Sequence, residues 1–401
     1  MNRVVVSNGY GQFPLARLAQ NLFQRGDLSA LLTGAYPKDK LQCALTQVSP
    51  SGAMLRLMER RVDVPDWLVY SHWPGEFSHQ IGQVLAHRDR AAQSEKFVGA
   101  SLSAYTKWAG RVLAGREDAS IYHFRAGMGG ASLDVARSMG MTIVCDHSIV
   151  HPRLLAGLVD GTGGISANLG TLWSRVEEDL DRADRLVVNS EFVASTCRAA
   201  GSKKPIYVAY TGVDPALLSS MDNVSSADRW GKVRALFAGT LEKRKGVDTL
   251  VAAISRLSPS IAEWTLIGTW EPNVADLLSS LPAHVVHFET MPHKQLSETM
   301  ATANLFVFPS RAEGSARVVA EALVSGCYVI TTPNAGSITR DGIDGRIVQP
   351  GDVSGLTRAV EEYASMLPSE REVRSLETKR YAREYLSEIE YTTSVMNAYE
   401  S

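Results

Sequence analysis

The sequence has few cysteines and no excess of charge of one sign. Its 401 residues include four cysteines, which are far apart and form no C-x-x-C pair. This spacing argues against a disulfide framework and favours reduced thiols in the cytoplasm. The formal net charge of −2 gives no overall attraction to nucleic acid or to an anionic membrane. We therefore expect no nucleic-acid partner.

Long apolar runs are also missing. No stretch approaches the roughly twenty consecutive apolar residues of a membrane span, and the first apolar run is too short for a secretory signal. The sequence thus predicts a cytoplasmic protein. Weak peripheral contact with the inner face of the membrane stays open, because residues 56–61 and 67–73 combine cations with large apolar rings. Packing with a charged rim explains these two runs equally well.

What the sequence does contain is an alternation of short β-branched runs and helical patterns, which predicts parallel sheets in α/β domains. A hydrophobic content of 45% is ample for their cores. The predicted strands of the first series are 3–7, 30–33, 121–124, 142–145, 185–188 and 205–209. Those of the second series are 234–238, 264–267, 284–288, 305–308 and 328–330.

Two series of strands predict two doubly wound, Rossmann-like domains. Residues 214–231 between them are rich in Ser and Asp and have no periodicity, as expected of a connector. We predict a first domain over residues 1–207, a second over residues 208–375, and a C-terminal helix over residues 376–401 that packs back toward the first domain. Ligands in such sheets bind outside the carboxyl ends of the strands, so the two domains should face a central cleft.

A pair of glutamates is the most informative local feature. Glu313 lies in a loop after a short apolar strand, and Glu321 lies on the apolar helix that follows, with Ser315 as the predicted N-cap. A carboxylate on a helix that packs on several sides needs a polar partner. Arg317, four residues earlier, is one candidate, and a pair of ligand hydroxyls is the other.

A basic turn precedes a second helix. The first strand of the second series leads into Gly239 and Thr240, and Arg244 and Lys245 follow just before a helix that starts near Val247. Cations beside backbone amides at a helix start favour a diphosphate. A solvated surface turn has the same composition.

The first domain carries weaker signals. Gly9 and Gly11 follow the first strand and could let a ligand approach the backbone, but Pro14 occupies the third glycine position of a dinucleotide fingerprint, which argues against an NAD site. His147 at a strand end is a candidate contact for a substrate hydroxyl or phosphate, although a structural role fits it as well. The D-x-D at Asp179 lies in an acidic helical run, which favours a solvated face over a metal site.

Together these features resemble the family 4 glycosyltransferases of GT-B fold, most strongly over residues 233–350. The resemblance implies a metal-independent, retaining transfer of a hexosyl or related group, without a cofactor, from a UDP- or GDP-sugar. The acceptor would be the hydroxyl of a saccharide, a glycolipid or lipid-linked acceptor, or a small molecule, and polysaccharide biosynthesis would be the setting.

The resemblance also implies roles for individual residues. Glu321 would hold the ribose hydroxyls and Glu313 a sugar hydroxyl. Lys245, helped by Arg244, would neutralise the leaving diphosphate, and His147 would lie near the reacting carbon. The donor-binding residues that it implies are Gly9, Gly11, Gly239, Thr240, Gly314, Ser315, Ala316, Arg317 and Glu321.

The sequence departs from the family pattern at Thr240, where many relatives carry arginine, and at Ser315 to Arg317, where a Gly-Phe-Gly segment is more common. Two alternatives stay open. One is a nucleotide-sugar epimerase or hydrolase of the same fold, and the other is a catalytically inactive GT-B subunit that binds a partner.

Overall fold

The computed structural model of the chain describes residues 3–11, 14–39, 54, 57–86, 90–159, 170–222, 224 and 229–400. Its first seven strands form one parallel sheet in the order β3-β2-β1-β4-β5-β6-β7. They are β1 (Val4–Gly9), β2 (Leu28–Thr33), β3 (Val69–Ser71), β4 (Ile121–Arg125), β5 (Thr142–His147), β6 (Arg185–Val188) and β7 (Ile206–Val208). The central strands are short apolar runs because helices cover both faces of the sheet.

In the described part of residues 3–207, seven helices flank this sheet. They are α1 (Leu15–Arg25), α2 (Trp73–Ala86), α3 (Ala91–Leu113), α4 (Ala131–Ser138), α5 (Pro152–Val159), α6 (Gly170–Arg182) and α7 (Glu191–Ala199). On one face of the sheet a core forms around Tyr105 and Phe124. On the other face Leu18 and Val187 belong to a second core.

The second domain repeats the architecture with six parallel strands in the order β10-β9-β8-β11-β12-β13. These are β8 (Arg234–Ala238), β9 (Glu263–Ile267), β10 (Val285–Phe288), β11 (Leu305–Phe308), β12 (Tyr328–Thr331) and β13 (Gly345–Ile347). Its helices are α8 (Pro215–Asp222), α9 (Val247–Arg256), α10 (His293–Thr302), α11 (Arg317–Val324), α12 (Val353–Ser365) and α13 (Pro368–Tyr385). One continuous core unites them.

The prediction of two Rossmann-like domains is confirmed, and each predicted strand is present with small differences at its ends. Two strands were not predicted, β3 and β13, and each is only three residues long and lies at a sheet edge. In both sheets the strand order reverses beside the first strand, at β1/β4 and at β8/β11. A ligand crevice is expected outside the carboxyl ends of the strands at these points.

The chain crosses between the domains twice. It leaves the first domain after β7 and returns to it in a last helix, α14 (Glu388–Glu400). The two crossings are joined where the Val213 amide donates a 2.8 Å hydrogen bond to the Leu386 carbonyl. Helix α13 packs on the second domain, and α14 packs on the first through Tyr391 and Tyr399. The predicted boundary at residue 375 thus falls within α13.

Among the described residues, no helix combines the length and the apolar character needed to cross a bilayer. The three described cysteines, Cys145, Cys197 and Cys327, are buried free thiols. Burial is the main cause that raises the pKa of each. Cys43 lies outside the described residues. So does Arg56, which belongs to the run of cations at residues 56–61.

Candidate functional site

A cavity of about 1160 Å³ separates the two domains. Its wall includes the ends of β1 and β2 in the first domain and of β8 and β11 in the second. Eight predicted site residues line it: Gly11, Gly239, Lys245, Glu313, Ser315, Ala316, Arg317 and Glu321. Five do not: Gly9, His147, Thr240, Arg244 and Gly314. The structure thus brings together the two glutamates and one of the two predicted cations.

Glu321 lies on α11 and is only 6% exposed. Its Oε1 lies 3.3 Å from Nε of Arg317, whose own side chain is 70% exposed. Because solvent screens the exposed arginine, this ion pair alone contributes little to stability. The Arg317 contact foreseen from the sequence is therefore present, and Glu321 still forms part of the cavity wall.

The first turn of α11 faces the cavity. Its N-cap is Ala316, without a side-chain cap, so the prediction of Ser315 as N-cap is wrong. The physical reason is the backbone of Ala316, which is extended and donates to the Ala335 carbonyl at 2.9 Å, so the helix begins one residue later. An uncapped helix start leaves amide donors for an anion or for polar oxygens.

Lys245 ends a short 3₁₀ turn, Lys243–Lys245, which Gly246 closes in a left-handed conformation with φ of 73°. A side chain at Gly246 would collide with the Pro309 carbonyl, so this position requires glycine. Within the described part of the chain, the Lys245 amino group makes no ion pair. It lies 6.0 Å from the centroid of the Phe308 ring and on the cavity wall.

Unlike Lys245, Arg244 does not line the cavity but pairs with two glutamates. Its Nη1 lies 2.9 Å from Oε1 of Glu313, and its Nη2 lies 2.6 Å from Oε1 of Glu242. Burial acts to lower the pKa of Arg244, but the charges of Glu313 and Glu242 outweigh burial and raise this pKa above its ordinary value. Arg244 does not line the cavity, and its contact with a diphosphate stays a prediction.

His147 ends β5 and is 2% exposed. Burial, followed by the nearby His151, lowers its pKa to about 3, so the imidazole is neutral near neutral pH. Among the described residues, no hydrogen-bond partner reaches Nε2. The next residue, Ser148, contacts Gly314 of the second domain, so His147 lies close to the domain interface.

That interface depends on small residues. A side chain at Gly314 would collide with the Ser148 carbonyl, and Ser190 donates a hydrogen bond to the Gly314 carbonyl.

Gly9, which ends β1, and Gly11 differ in their surroundings. A side chain at Gly9 would meet Met128, whereas Gly11 has open space around it. Of these two, only Gly11 meets the cavity, as its predicted role requires.

Sequence reasoning missed a group of charged residues on the cavity wall. Arg17 on α1 pairs with Asp214 at 2.6 Å and with Glu388 at 3.0 Å. These two carboxylates lie near the two crossings between the domains. Arg60 and Arg61 line the cavity as well. Arg17, Asp214 and Glu388 lie far from one another in the sequence, and the signal for Arg60 and Arg61 was the cation content of residues 56–61.

One buried histidine, His123, and one buried aspartate, Asp179, make contacts that hold the first domain together. His123 Nδ1 lies 2.6 Å from the Tyr399 hydroxyl, which ties α14 to the first sheet. Asp179 is 2% exposed and is not on a solvated face, so that prediction is wrong. Its carboxylate accepts hydrogen bonds from the amides of Gly127 and Gly129 at 2.8 and 2.9 Å. Among the described residues, no group of three or more His, Cys, Asp and Glu side chains could hold a metal ion.

Comparison with known proteins gives the same picture of the fold. Sucrose-phosphate synthase from Thermosynechococcus elongatus superposes with a TM-score of 0.62 at 16% identity, over 99% of this chain and 98% of that one. The Anabaena protein HepE, solved with UDP and glucose, superposes with a TM-score of 0.59 at 15% identity, over 98% and 99% of the two chains. The fold is GT-B.

The sequence comparisons concern part of the chain. Residues 232–365 match the family model of the group 1 glycosyl transferases. The chain is similar to the MMP α-(1→4)-mannosyltransferase of Mycolicibacterium hassiacum, with 28% identity over 289 residues, or 67% of each protein. The matches span 53% to 67% of the length of the curated relatives. The matched segment contains Lys245, Glu313 and Glu321.

Proposed function

We propose that this protein is a glycosyltransferase that moves a sugar from a nucleoside diphosphate sugar to a hydroxyl acceptor with retention of configuration. The observation that carries the proposal is that Lys245, Glu321 and the uncapped start of α11 line one cavity between two Rossmann-like domains. The group 1 glycosyl transferase match over residues 232–365 supports it. Family 4 is the member of this superfamily that the sequence pattern favours.

In this mechanism the donor lies on the second-domain wall. Glu321 accepts hydrogen bonds from the ribose hydroxyls, since its carboxylate lies on the cavity wall, where its oxygens can accept from a pair of hydroxyls. The Lys245 ammonium and the first amides of α11 stabilise the charge that develops on the diphosphate as the glycosidic bond breaks. Lys245 suits this role because no carboxylate of the described chain pairs with it. These groups supply the positive charge without a metal.

Glu313 holds a hydroxyl of the transferred sugar. Its ion pair with Arg244 fixes the direction of its carboxylate, which is the contribution that the geometry supports for Arg244. His147, neutral at the working pH, accepts or donates a hydrogen bond near the reacting carbon once the domains close on the donor. In a front-face reaction the leaving phosphate oxygen takes the proton of the acceptor hydroxyl while the new glycosidic bond forms on the same face.

The test is nucleotide binding, measured as thermal stabilisation by UDP, GDP and ADP and by UDP-glucose and GDP-mannose. A ligand at about 100 times its dissociation constant adds roughly 2.7 kcal/mol to the free energy of unfolding. We expect one nucleotide family to stabilise the protein and Glu321→Ala to abolish the shift. The UDP bound to HepE makes UDP the first ligand to try. If none of these nucleotides shifts the midpoint, the proposal is wrong.

A further inference from the structure

The first-domain wall of the cavity is fixed by a clamp between two short segments. Residues 35–37 follow β2, and residues 60–62 come later in the chain and line the cavity. The contacts are Arg60 Nη1 to the Ala35 carbonyl at 3.3 Å, Arg61 Nη1 to the Pro37 carbonyl at 2.9 Å, and the Tyr36 hydroxyl to the Val62 carbonyl at 3.0 Å. The Val62 amide also donates to the Tyr36 hydroxyl at 3.2 Å. The wall is therefore ordered before any ligand binds.

Arg60 forms an ion pair with a buried acid, Glu76. Glu76 is 3% exposed, and its Oε1 accepts a hydrogen bond from Arg60 Nη1. Its Oε2 accepts from the Ala35 amide at 2.6 Å, and a side chain at Gly34 would collide with the carboxylate. Among the described residues, both hydrogen bonds of Arg60 use Nη1, and none uses Nη2 or Nε, which can therefore donate to a ligand in the cavity.

Among the described residues, each arginine of this wall is paired with a carboxylate. The pairs are Arg17 with Asp214 and Glu388, Arg60 with Glu76, and Arg61 with Asp39 and Asp66. On the opposite wall, the described residues leave Lys245 without such a partner. A phosphate needs an uncompensated cation, whereas a hydroxyl needs only directed donors and acceptors. The first-domain wall therefore suits hydroxyl groups and not a phosphate.

Resting on the function proposed above, we propose that this wall binds the acceptor as an uncharged saccharide. Arg60 donates hydrogen bonds from Nη2 and Nε to acceptor hydroxyl oxygens, and Glu76 is the positioning residue that holds Arg60 in place. The pairing of these arginines with carboxylates distinguishes this acceptor from a phosphorylated sugar. The acceptor hydroxyl that reacts is thereby presented to the donor on the opposite wall.

The test uses the full chain with UDP-glucose or GDP-mannose, whichever binds. Methyl glycosides of glucose, mannose and galactose are compared with the corresponding sugar 6-phosphates, and release of nucleoside diphosphate is measured. We expect at least one methyl glycoside to raise release above the rate without acceptor, and to exceed its 6-phosphate by about tenfold in kcat/KM. That ratio corresponds to roughly 1.4 kcal/mol.

A preference for the phosphates, or no response to any methyl glycoside in a protein that binds the nucleotide, overturns the proposal. Failure to bind any nucleotide sugar instead overturns the glycosyltransferase function, so the two failures differ. A second measurement uses Arg60→Ala and Glu76→Gln. We expect each to raise KM for the glycoside about tenfold while the dissociation constant of the nucleoside diphosphate stays unchanged.

The control is Arg198→Ala, which removes an exposed first-domain arginine that, among the described residues, forms an ion pair with Glu191 alone, at 3.7 Å. This variant should keep both constants. If Arg60→Ala does not fold, Arg60→Lys is used instead. Lysine retains the charge but lacks the planar N–H donors of the guanidinium, so this variant should still raise KM. An unchanged KM in Arg60→Lys, or an equal loss of nucleotide binding, refutes the role of Arg60.

Discussion

The Arg244 guanidinium and the Glu313 carboxylate form an ion pair of 2.9 Å between the basic turn and the loop before α11. A second contact joins the same two segments, since the Arg311 amide donates to the Arg244 carbonyl at 2.8 Å. The turn that carries Lys245 and the loop that carries Glu313 are thus one structural unit. A change in Arg244 should therefore act on the sugar-binding side of the site through Glu313.

This pairing predicts strong coupling between the two residues. Glu313→Ala and Arg244→Ala should each lower kcat/KM by about tenfold or more, and the double variant should lose little beyond the larger single effect. Binding of free nucleoside diphosphate should be spared in all three, because in the proposed mechanism Glu313 contacts the sugar. Additive losses in the double-mutant cycle would mean that Arg244 acts independently, on the diphosphate itself.

Lys245 should matter for turnover more than any other cation on the cavity wall. Lys245→Ala removes the charge that, in the proposed mechanism, stabilises the leaving diphosphate, and we expect kcat to fall roughly 10²-fold or more. Lys232→Ala is the matched control, since that lysine is 71% exposed and pairs with Glu263 on the protein surface. Steady-state release of nucleoside diphosphate measures both. Normal turnover in Lys245→Ala would remove this residue from the mechanism.

Close packing at Gly314 predicts that one added methyl group destabilises the protein. Gly314→Ala should weaken the contact between the domains, because the new side chain meets the Ser148 carbonyl. We expect a lower midpoint of thermal unfolding and a larger KM for the donor. Gly99→Ala on α3 is the control, because its new methyl group meets no atom within 4 Å, and it should stabilise the protein by roughly 0.4–1 kcal/mol.

Asp179 predicts a pH dependence of stability. Burial raises its pKa to about 6 from 3.8, although hydrogen bonds from the amides of Gly130, Gly129 and Gly127 oppose the increase. The folded state therefore binds this proton more tightly than the unfolded state. The stabilisation is fully present below a pH of about 4 and is lost as the pH rises through about 6, by up to about 3 kcal/mol.

Asp179→Asn removes this titration. We expect the free energy of unfolding of the unaltered protein, minus that of the variant, to fall as the pH rises from about 4 to about 6. Denaturant unfolding at several pH values measures this difference. A difference that stays constant with pH, or grows toward pH 6, would show that Asp179 does not carry a raised pKa.

The parts of the fold that follow local rules could be predicted from the sequence. Buried central strands such as Leu305–Phe308 are apolar runs bounded by turn residues, so they were found. The edge strands Val69–Ser71 and Gly345–Ile347 were missed because three residues in partly exposed positions have no such pattern. The spacing of Glu313 and Glu321 was also readable, since a loop and the helix after it are local.

Contacts between distant segments could not be predicted. Nothing near Arg244 in the sequence shows that Glu313 neutralises it, and nothing near Arg60 points to Glu76. The error at Asp179 has the same origin: the acidic run Glu177 to Asp184 indicates solvent, whereas the burial of Asp179 depends on the glycine turn at residues 127–130, which β4 delivers. Such pairings depend on topology, which composition and periodicity do not encode.

The return of α14 to the first domain makes the two domains unequal as independent fragments. A second-domain fragment that ends near residue 386 would keep every strand and helix of its core. A first-domain fragment cut at residue 207 would lose Tyr391, Val395 and Tyr399, leave the His123 imidazole without its hydroxyl partner and expose part of one face of the sheet. A soluble first domain would therefore require residues 388–400 to be spliced on or supplied as a separate peptide.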